Sequence, residues 1–553
     1  MAGLSARDHQ GRVAARRRRH GRTHGAGAGR LRQGGTVMNM HPRATGPLVV
    51  GLDCGTGGAR AIVSDLAGHV RGTATSNYPT THPRPGWTEQ NPADWWEAAC
   101  AAVREAVARA GAAPDDILAI SADGTSSTLV ALDEAGQPLG PAILWMDTRA
   151  SAQARRMSQC GDPALARCRA GVSAEWMIPR ILWIKENQPE LFARTRWFVE
   201  MADYIAYRLS GRLTLGLNQA SNRWFHGGLA GGWPTGFFER IGLAGITERF
   251  PSDVLALGAP IGPVAADVAE TMGLGRRTLV VCGGTDAYVA MVGLDVCRPG
   301  RTAFITGSSH LVLSVTDQPG EVPGLFGPHP DCVVPGLYVL EGGQVSSGSI
   351  IKWWHDHFGT ALCHGEDPYT AMIARAAGIP IGAEGLVALD FWQGNRNPYT
   401  DYDLRGAIWG LTLKHSPDHI LRALIESVAY GTENILRTLS ANDIAVSSLT
   451  ACGGTVRSRF LLQMHADVSG VPINVPQVSE ASAFGSAIVA AVGGGAFRDL
   501  PEGAGAMVRE DFVIEPDREA GARYASIFED YRATHVALAP LMHAKVRERA
   551  VPA

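Results

Sequence analysis

Val49-Val50-Gly51-Leu52-Asp53-Cys54-Gly55-Thr56-Gly57-Gly58-Ala59-Arg60-Ala61-Ile62-Val63 runs an apolar strand into an acid, a glycine-rich reversal and a second strand. That order predicts a β-hairpin whose tip offers backbone N–H groups to an anion. Asp53 closes the first strand and supplies a carboxylate for a metal ion, while Gly55, Gly57 and Gly58 let the backbone approach phosphates with no Cβ in the way. Hairpins that bind nothing share this pattern, so a second signal is needed. The stretch Arg301-Thr302-Ala303-Phe304-Ile305-Thr306-Gly307-Ser308-Ser309-His310-Leu311-Val312-Leu313 repeats the plan: strand, small-residue turn, strand. Two phosphate-type hairpins in one chain predict a duplicated domain closing around one nucleotide.

Size and composition agree. At 553 residues the chain exceeds what one core supports, so two domains of roughly 200 to 250 residues are expected. We place them at 47–294, for sugar and phosphate, and 295–545, for ATP. A net charge of -3 leaves no footprint for nucleic acid over the body of the chain, and only the basic N-terminal arm keeps that role open. Nine cysteines without paired spacing read as free thiols in a reducing cytoplasm. No apolar run is long enough to cross a membrane. Residues 1–46 stand apart: Arg12, Arg16, Arg17, Arg18, Arg19, Arg22, Arg30 and Arg32 lie among Gly, Ala and His with almost no acid. Such a segment cannot build a core and is expected to be disordered and dispensable. Met38 and Met40 just before the first strand offer later starts.

Between the hairpins strands alternate with helices, which predicts an α/β architecture. Asn91-Pro92-Ala93-Asp94 combines an N-cap, a first-turn proline and an acid, so a helix should run to about Ala110. A strand at Ile117 to Ser121 feeds Asp123-Gly124-Thr125-Ser126-Ser127-Thr128, small hydroxyl residues before another strand at Leu129 to Leu132. They suit a polyhydroxylated ligand or a plain Ser/Thr turn. In Leu279-Val280-Val281-Cys282-Gly283-Gly284-Thr285-Asp286-Ala287-Tyr288 a buried strand runs into Gly-Gly, with Asp286 where a helix begins. That acid is an N-cap, a general base for phosphoryl transfer to a hydroxyl, or both. Gly453-Gly454 again follows a strand, and Ile420, Leu424, Ile425, Val428, Ile435 and Leu439 in the preceding helix fall at core spacing.

Taken together, these segments resemble the FGGY carbohydrate kinases of the actin- and hexokinase-like superfamily, over about residues 47 to 540. The pieces stand in family order: the Asp53 hairpin, Pro85-Gly86-Trp87-Thr88-Glu89-Gln90-Asn91-Pro92, Trp145-Met146-Asp147-Thr148-Arg149-Ala150 and Gly283-Gly284-Thr285-Asp286-Ala287. Thr306-Gly307-Ser308-Ser309, Tyr402-Asp403-Leu404-Arg405-Gly406-Ala407-Ile408-Trp409-Gly410-Leu411-Thr412 and Gly453-Gly454 with Gln463-Met464-His465-Ala466-Asp467-Val468-Ser469-Gly470 complete them. The resemblance implies a two-domain fold with the catalytic cleft between the domains, and ATP- and Mg²⁺-dependent phosphorylation of a sugar or polyol hydroxyl.

It also implies roles. Asp286 is the base and Asp53 the metal residue. Gly55, Thr56, Gly57, Gly58, Arg60, Thr306, Gly307, Ser308, Ser309, Gly453, Gly454 and Ser458 hold ATP. Ser126, Ser127, Arg223, Asp286 and Glu341 read the sugar. The run Asp123 to Thr128 looks like the Asp-Phe-Thr-Ser-Cys-Thr stretch of ribulokinases; Glu341-Gly342-Gly343-Gln344 and Gly394-Asn395-Arg396-Asn397-Pro398 also look like ribulokinase segments. A ketopentose, first of all ribulose, is therefore the expected substrate. Two positions depart from that pattern: Gly124 stands where ribulokinases carry an aromatic, and Arg223 where they carry a lysine, and the two cations are not equivalent at a contact. Xylulose, a pentitol or a tetritol stays open as substrate. So does a non-catalytic, nucleotide-gated role, since fold does not fix function. Whether two copies form a homodimer is also open.

Overall fold

Each half of the chain builds a mixed sheet from the same sequence of strand relations. The computed structural model describes residues 46–168, 171–363 and 367–550. The disorder expected of the Arg-rich segment 1–46 therefore concerns residues that, Gly46 excepted, lie outside those described.

In the first half, β1 (Leu48–Cys54) and β2 (Gly58–Asp65) form the predicted antiparallel hairpin, extended by β3 (Val70–Asn77). Helix α1 (Pro92–Ala110) starts where the sequence placed it. The Asn91 side chain accepts from the Ala93 amide at 3.1 Å, Pro92 opens the first turn, and Gly111 ends the helix in the left-handed region. Next, β4 (Ile117–Gly124) lies parallel to β1, and β6 (Leu279–Val281) parallel to β4, with β5 (Pro260–Pro263) antiparallel on the edge. The sheet order is β5-β6-β4-β1-β2-β3.

The second half repeats this. Strands β7 (Gly300–Thr306) and β8 (His310–Thr316) form a hairpin; β9 (Phe326–Pro330) and β10 (Tyr338–Gln344) extend it. Strand β11 (Val446–Gly453) lies parallel to β7, β12 (Ile473–Pro476) parallel to β11, and β13 (Glu510–Ile514) is the antiparallel edge. The order β9-β10-β8-β7-β11-β12-β13 reproduces the first sheet with one strand added.

Three helices position the site. Helix α2 (Leu217–Arg223) ends in a candidate sugar residue, α3 (Asp286–Gly293) begins with the candidate base, and α4 (Ala481–Gly493) packs between the sheets. Both α3 and α4 are apolar around much of their circumference, as a helix buried on several sides must be. They share one core with Val49, Ile62 and Ala119 of the first sheet and Ala303 and Leu313 of the second. Contact between α4 and β1 is backbone to backbone: a Cβ at Gly51 would lie 1.9 Å from the Ala483 carbonyl oxygen. Glycine at that position is what lets a helix from the second half rest on the strand that carries Asp53.

The core residues expected at 424, 425, 428, 435 and 439 are buried in a helix over Pro417–Ser440, while Ile420 is half-buried at its exposed start. The strand expected over Ile117 to Ser121 runs on to Gly124 because Asp53 and Asp123 face each other in the β1–β4 register. Asp286 is not the N-cap: Thr285 has the extended capping conformation, and Asp286 is the first helical residue.

Candidate active site

The parallel strands β1, β4 and β6 point their carboxyl ends the same way, and in open α/β sheets that edge is where ligands bind. Asp53 lies one residue before the end of β1, Asp123 stands beside it on β4, and Asp286 follows β6. The second sheet brings its own β7 and β11 ends to the facing side. Between them lies a cleft of about 350 Å³, lined by Asp53, Arg60, Ser126, Ser127, Arg223 and Asp286 from one half and Ser309, Glu341 and Gly453 from the other. The expected catalytic, metal and sugar residues thus share one cavity.

The N-terminal tip is held from behind through its carbonyls. Gly55 C=O accepts from the Tyr78 hydroxyl, Thr56 C=O accepts from Gln90 Nε2 at 2.7 Å, and the Thr56 hydroxyl accepts from Trp145 Nε1 at 3.1 Å. The Gly55 amide closes the turn onto Gly58 C=O at 3.1 Å. Across the cleft, Thr306 Oγ1 donates to Cys452 C=O at 2.7 Å and accepts from the Thr455 amide at 3.0 Å, locking the second hairpin to the Gly453 turn. Ser308 C=O accepts from the amides of Ser347 and Ser349, each at 3.1 Å. Gly55 to Gly58, Thr306 to Ser308 and Gly454 lie in these turns rather than in the cleft wall itself. Ser458 serves a local purpose: its hydroxyl caps the helix Arg459–Ser469 at the Leu461 amide. Arg60 spans the cleft, paired with Glu480 from the second half and 4.0 Å from Asp53.

The acids are crowded. Burial, then the Asp53 charge, pushes Asp286 up to about 7. Burial and the neighbouring Asp53 hold Asp123 well above the usual carboxylate range, and burial raises Asp53 itself although Asp123 and Arg60 pull it down. Carboxylate oxygens suit a hard cation such as Mg²⁺. Among the described residues no cluster of three or more His, Cys, Asp or Glu side chains could hold a metal. Asp53 and Asp123 are the paired carboxylates at this edge of the sheet.

At the other end, Glu341 accepts from Arg223 Nη2 at 2.6 Å, Arg396 Nη2 at 2.8 Å and the Tyr288 hydroxyl at 2.9 Å. Burial alone would raise its carboxyl, but the two guanidiniums hold it down to about 2. Arg223 stacks 5.4 Å over Trp176, and its Nη1 has no partner; Ser126 Oγ and Ser127 Oγ are likewise buried and unpartnered. Buried polar groups ordinarily find partners, and these three atoms are free to bond a polar group in the cleft. Sequence reasoning missed Arg396, Tyr288, Trp145 and Glu175 in the cleft wall. Arg396 and Trp145 stood inside segments already singled out. Thr148 and Arg149 brace the scaffold instead: Arg149 is bound by Asp147 and Glu89 and stacks 3.8 Å over Trp87.

Residues 48–293 match the N-terminal domain, and residues 302–494 the C-terminal domain, of the FGGY family of carbohydrate kinases. The chain belongs to this family. The FGGY kinase is 31% identical over 535 residues to a ribulokinase of Mycolicibacterium smegmatis, covering 90% of this chain and 95% of that one. It is 28% identical over 490 residues to a xylulose kinase of Bacillus subtilis, covering 88% and 96%. Its structure superposes on that of a xylulose kinase from Rhodospirillum rubrum with a TM-score of 0.81 at 28% identity, over 90% of this chain and all of that one. The kinase thus has the α/β two-domain FGGY fold. All nine cysteines are free thiols, and among the described residues no helix is long and apolar enough to cross a membrane.

Proposed function

We propose that this kinase transfers the γ-phosphate of ATP to a hydroxyl of a ketopentose, with ribulose as the first candidate, in a reducing cytoplasm. One observation carries the reading. Unpartnered, buried Ser126, Ser127 and Arg223 atoms converge in one cavity with Asp286, while Glu341 pairs with both Arg223 and Arg396. Such a site offers hydrogen bonds rather than a bare charge, as a neutral polyhydroxylated substrate requires. Relatives named ribulokinases and xylulose kinases support a pentulose. The xylulose alternative draws on Gly124: a Cβ there would lie 2.9 Å from Met201 Cγ, so the space an aromatic would fill is taken by another side chain.

In this reading Asp286 takes the proton of the attacking hydroxyl. A carboxylate near pH 7 is matched to that task, whereas an ordinary one is too weak a base. Asp53 would hold Mg²⁺ through water, and the ion would supply charge neutralisation for the phosphates of ATP. Backbone groups of Gly55 to Gly58 and Gly307 to Ser309 gather those phosphates, with Arg60, Thr306, Gly453 and Gly454 completing the nucleotide side. Ser458 acts there only through the helix that it caps.

The test is ADP release by the full chain across L-ribulose, D-ribulose, D-xylulose, L-xylulose, ribitol, xylitol, erythritol and glycerol. Saturable turnover with one ribulose isomer is expected. Turnover confined to xylulose or a polyol would replace the substrate and keep the chemistry.

A further inference from the structure

Ser127 carries a left-handed backbone, with φ 56°, a conformation unfavourable for an L-residue other than glycine. Both of its backbone polar groups are held by buried charged side chains. Its N–H donates to Glu200 Oε2 at 2.6 Å, and its carbonyl accepts from Arg180 Nη1. Arg180 is 0% and Glu200 1% exposed, and charges so buried are tolerated only with hydrogen-bond partners. Each has them. Glu200 Oε1 accepts from Trp224 Nε1 at 2.6 Å, and Arg180 Nη2 donates to the carbonyls of Trp145 at 2.7 Å and Asp147 at 3.2 Å.

The two residues come from different elements. Glu200 ends the strand Trp197–Glu200, opposite Leu129, and Arg180 lies in the helix Met177–Asn187. Neither lines the cleft, yet Ser127 and Trp145, whose backbones they grip, both do. Trp145 in turn touches Thr56 at the phosphate hairpin. Burial pushes Glu200 up to about 7 in spite of its two donors, so the fold keeps this acid at a cost, as functional sites do.

We propose that Arg180 and Glu200 are positioning residues for the acceptor sugar: by gripping Ser127 from both sides they hold the left-handed turn that presents the Ser126 and Ser127 hydroxyls to the cleft. The inference rests on the reading of that cleft as a sugar site. It adds that selectivity is set partly by two charged side chains outside the cavity wall.

The experiment is a double-mutant cycle on the full chain with Glu200→Gln, Ser127→Gly and their combination, reading sugar KM, kcat, ATP KM and Tm. Glutamine turns one of two accepting oxygens into an NH2 group, so Ser127 N–H or Trp224 Nε1 loses its acceptor. Glu200→Gln is expected to raise sugar KM about tenfold, with ATP KM unmoved. Added to Ser127→Gly it should cost little more, because glycine takes the left-handed turn unaided. Equal penalties in both backgrounds, with ATP KM and Tm moving alongside, would overturn the clamp and leave two buried side chains that only brace the fold. Arg180→Lys keeps the charge but cannot span the carbonyls of Ser127, Trp145 and Asp147 at once. It must show the same dependence on Ser127, and it decides the matter if Glu200→Gln does not fold. No turnover of any sugar or polyol by the unaltered chain would overturn the sugar-site reading and the clamp with it, a failure distinct from additive penalties in an active enzyme.

Discussion

The β1–β4 pair and the β7–β11 pair occupy the same place in their sheets and end in opposite chemistry. At the end of the first, Asp53 and Asp123 face each other in register; at the end of the second, Thr306 faces Gly453 and Ile305 faces Cys452. The two halves share the strand order and the turn. Charge was placed on one copy only. A buried acid pair demands a cation or a proton, which suits metal and acceptor activation. A neutral end with close backbone approach suits a nucleotide, which brings its own negative charge. The difference teaches that a repeated scaffold fixes where ligands sit, while the residues ending its strands decide which ligand each side takes.

The sharpest way to break this comparison is at the acid side. Asp286→Asn should lower kcat by roughly 10³ or more, the scale of losing a base and an oriented contact together, while ATP affinity by titration calorimetry stays put. Near-normal turnover would leave the acid half with no distinct role.

Next in size is Glu341→Gln, which leaves Arg223 and Arg396 sharing a neutral amide. Breaking a buried pair by removing one charge is costly, and kcat/KM for sugar should fall by about 10² with ATP KM unchanged. A matching rise in ATP KM would show that the two ends of the cleft are not separate sites.

The neutral side is probed by Gly453→Ala. Gly453 has φ +92°, and a Cβ there would lie 1.9 Å from the Thr306 carbonyl oxygen. The hairpin must shift, so ATP KM should rise about tenfold and stability drop by about 2 kcal/mol, with sugar KM at saturating ATP unaffected. An effect on sugar KM alone would invert the assignment of the halves.

The smallest effect concerns pH. If Asp286 must be ionised to act, kcat/KM should rise with pH to a plateau above about 7. The stability sign is opposite. Asp286 binds its proton more tightly folded than unfolded, so it costs stability as pH rises from the ordinary carboxylate value of 3.8 toward about 7. The stability of Asp286→Asn relative to the unaltered chain should therefore improve as pH rises across this window, by about 4 kcal/mol at most, read as a change in the gap between the two melting temperatures.

Much of the scaffold was legible from local signals. Asn91-Pro92 fixed the start of α1, and the strands around Gly55 to Gly58 and Gly307 to Ser309 formed as hairpins because turn chemistry is a property of neighbouring residues. Asp286 stands out in the sequence because an acid after strand and Gly-Gly is unusual within its own segment, although its place one residue inside the helix is not visible there. Arg396, Tyr288 and the Arg180–Glu200 clamp were not legible. Each is an ordinary residue type within its segment, and only its partner gives it meaning.

By itself the sequence determined the two hairpins, the acid near the end of β1, the acid that opens α3 and the family to which they belong. These are short-range patterns set by backbone preference and by chemistry within a dozen residues. Only the tertiary structure decided that Arg223 and Glu341, 118 positions apart, pair with each other, and that Ser486 of α4 donates to Asp123 across the halves at 2.6 Å. Burial sets such charges and proton affinities, and burial is a property of the packed whole rather than of any segment.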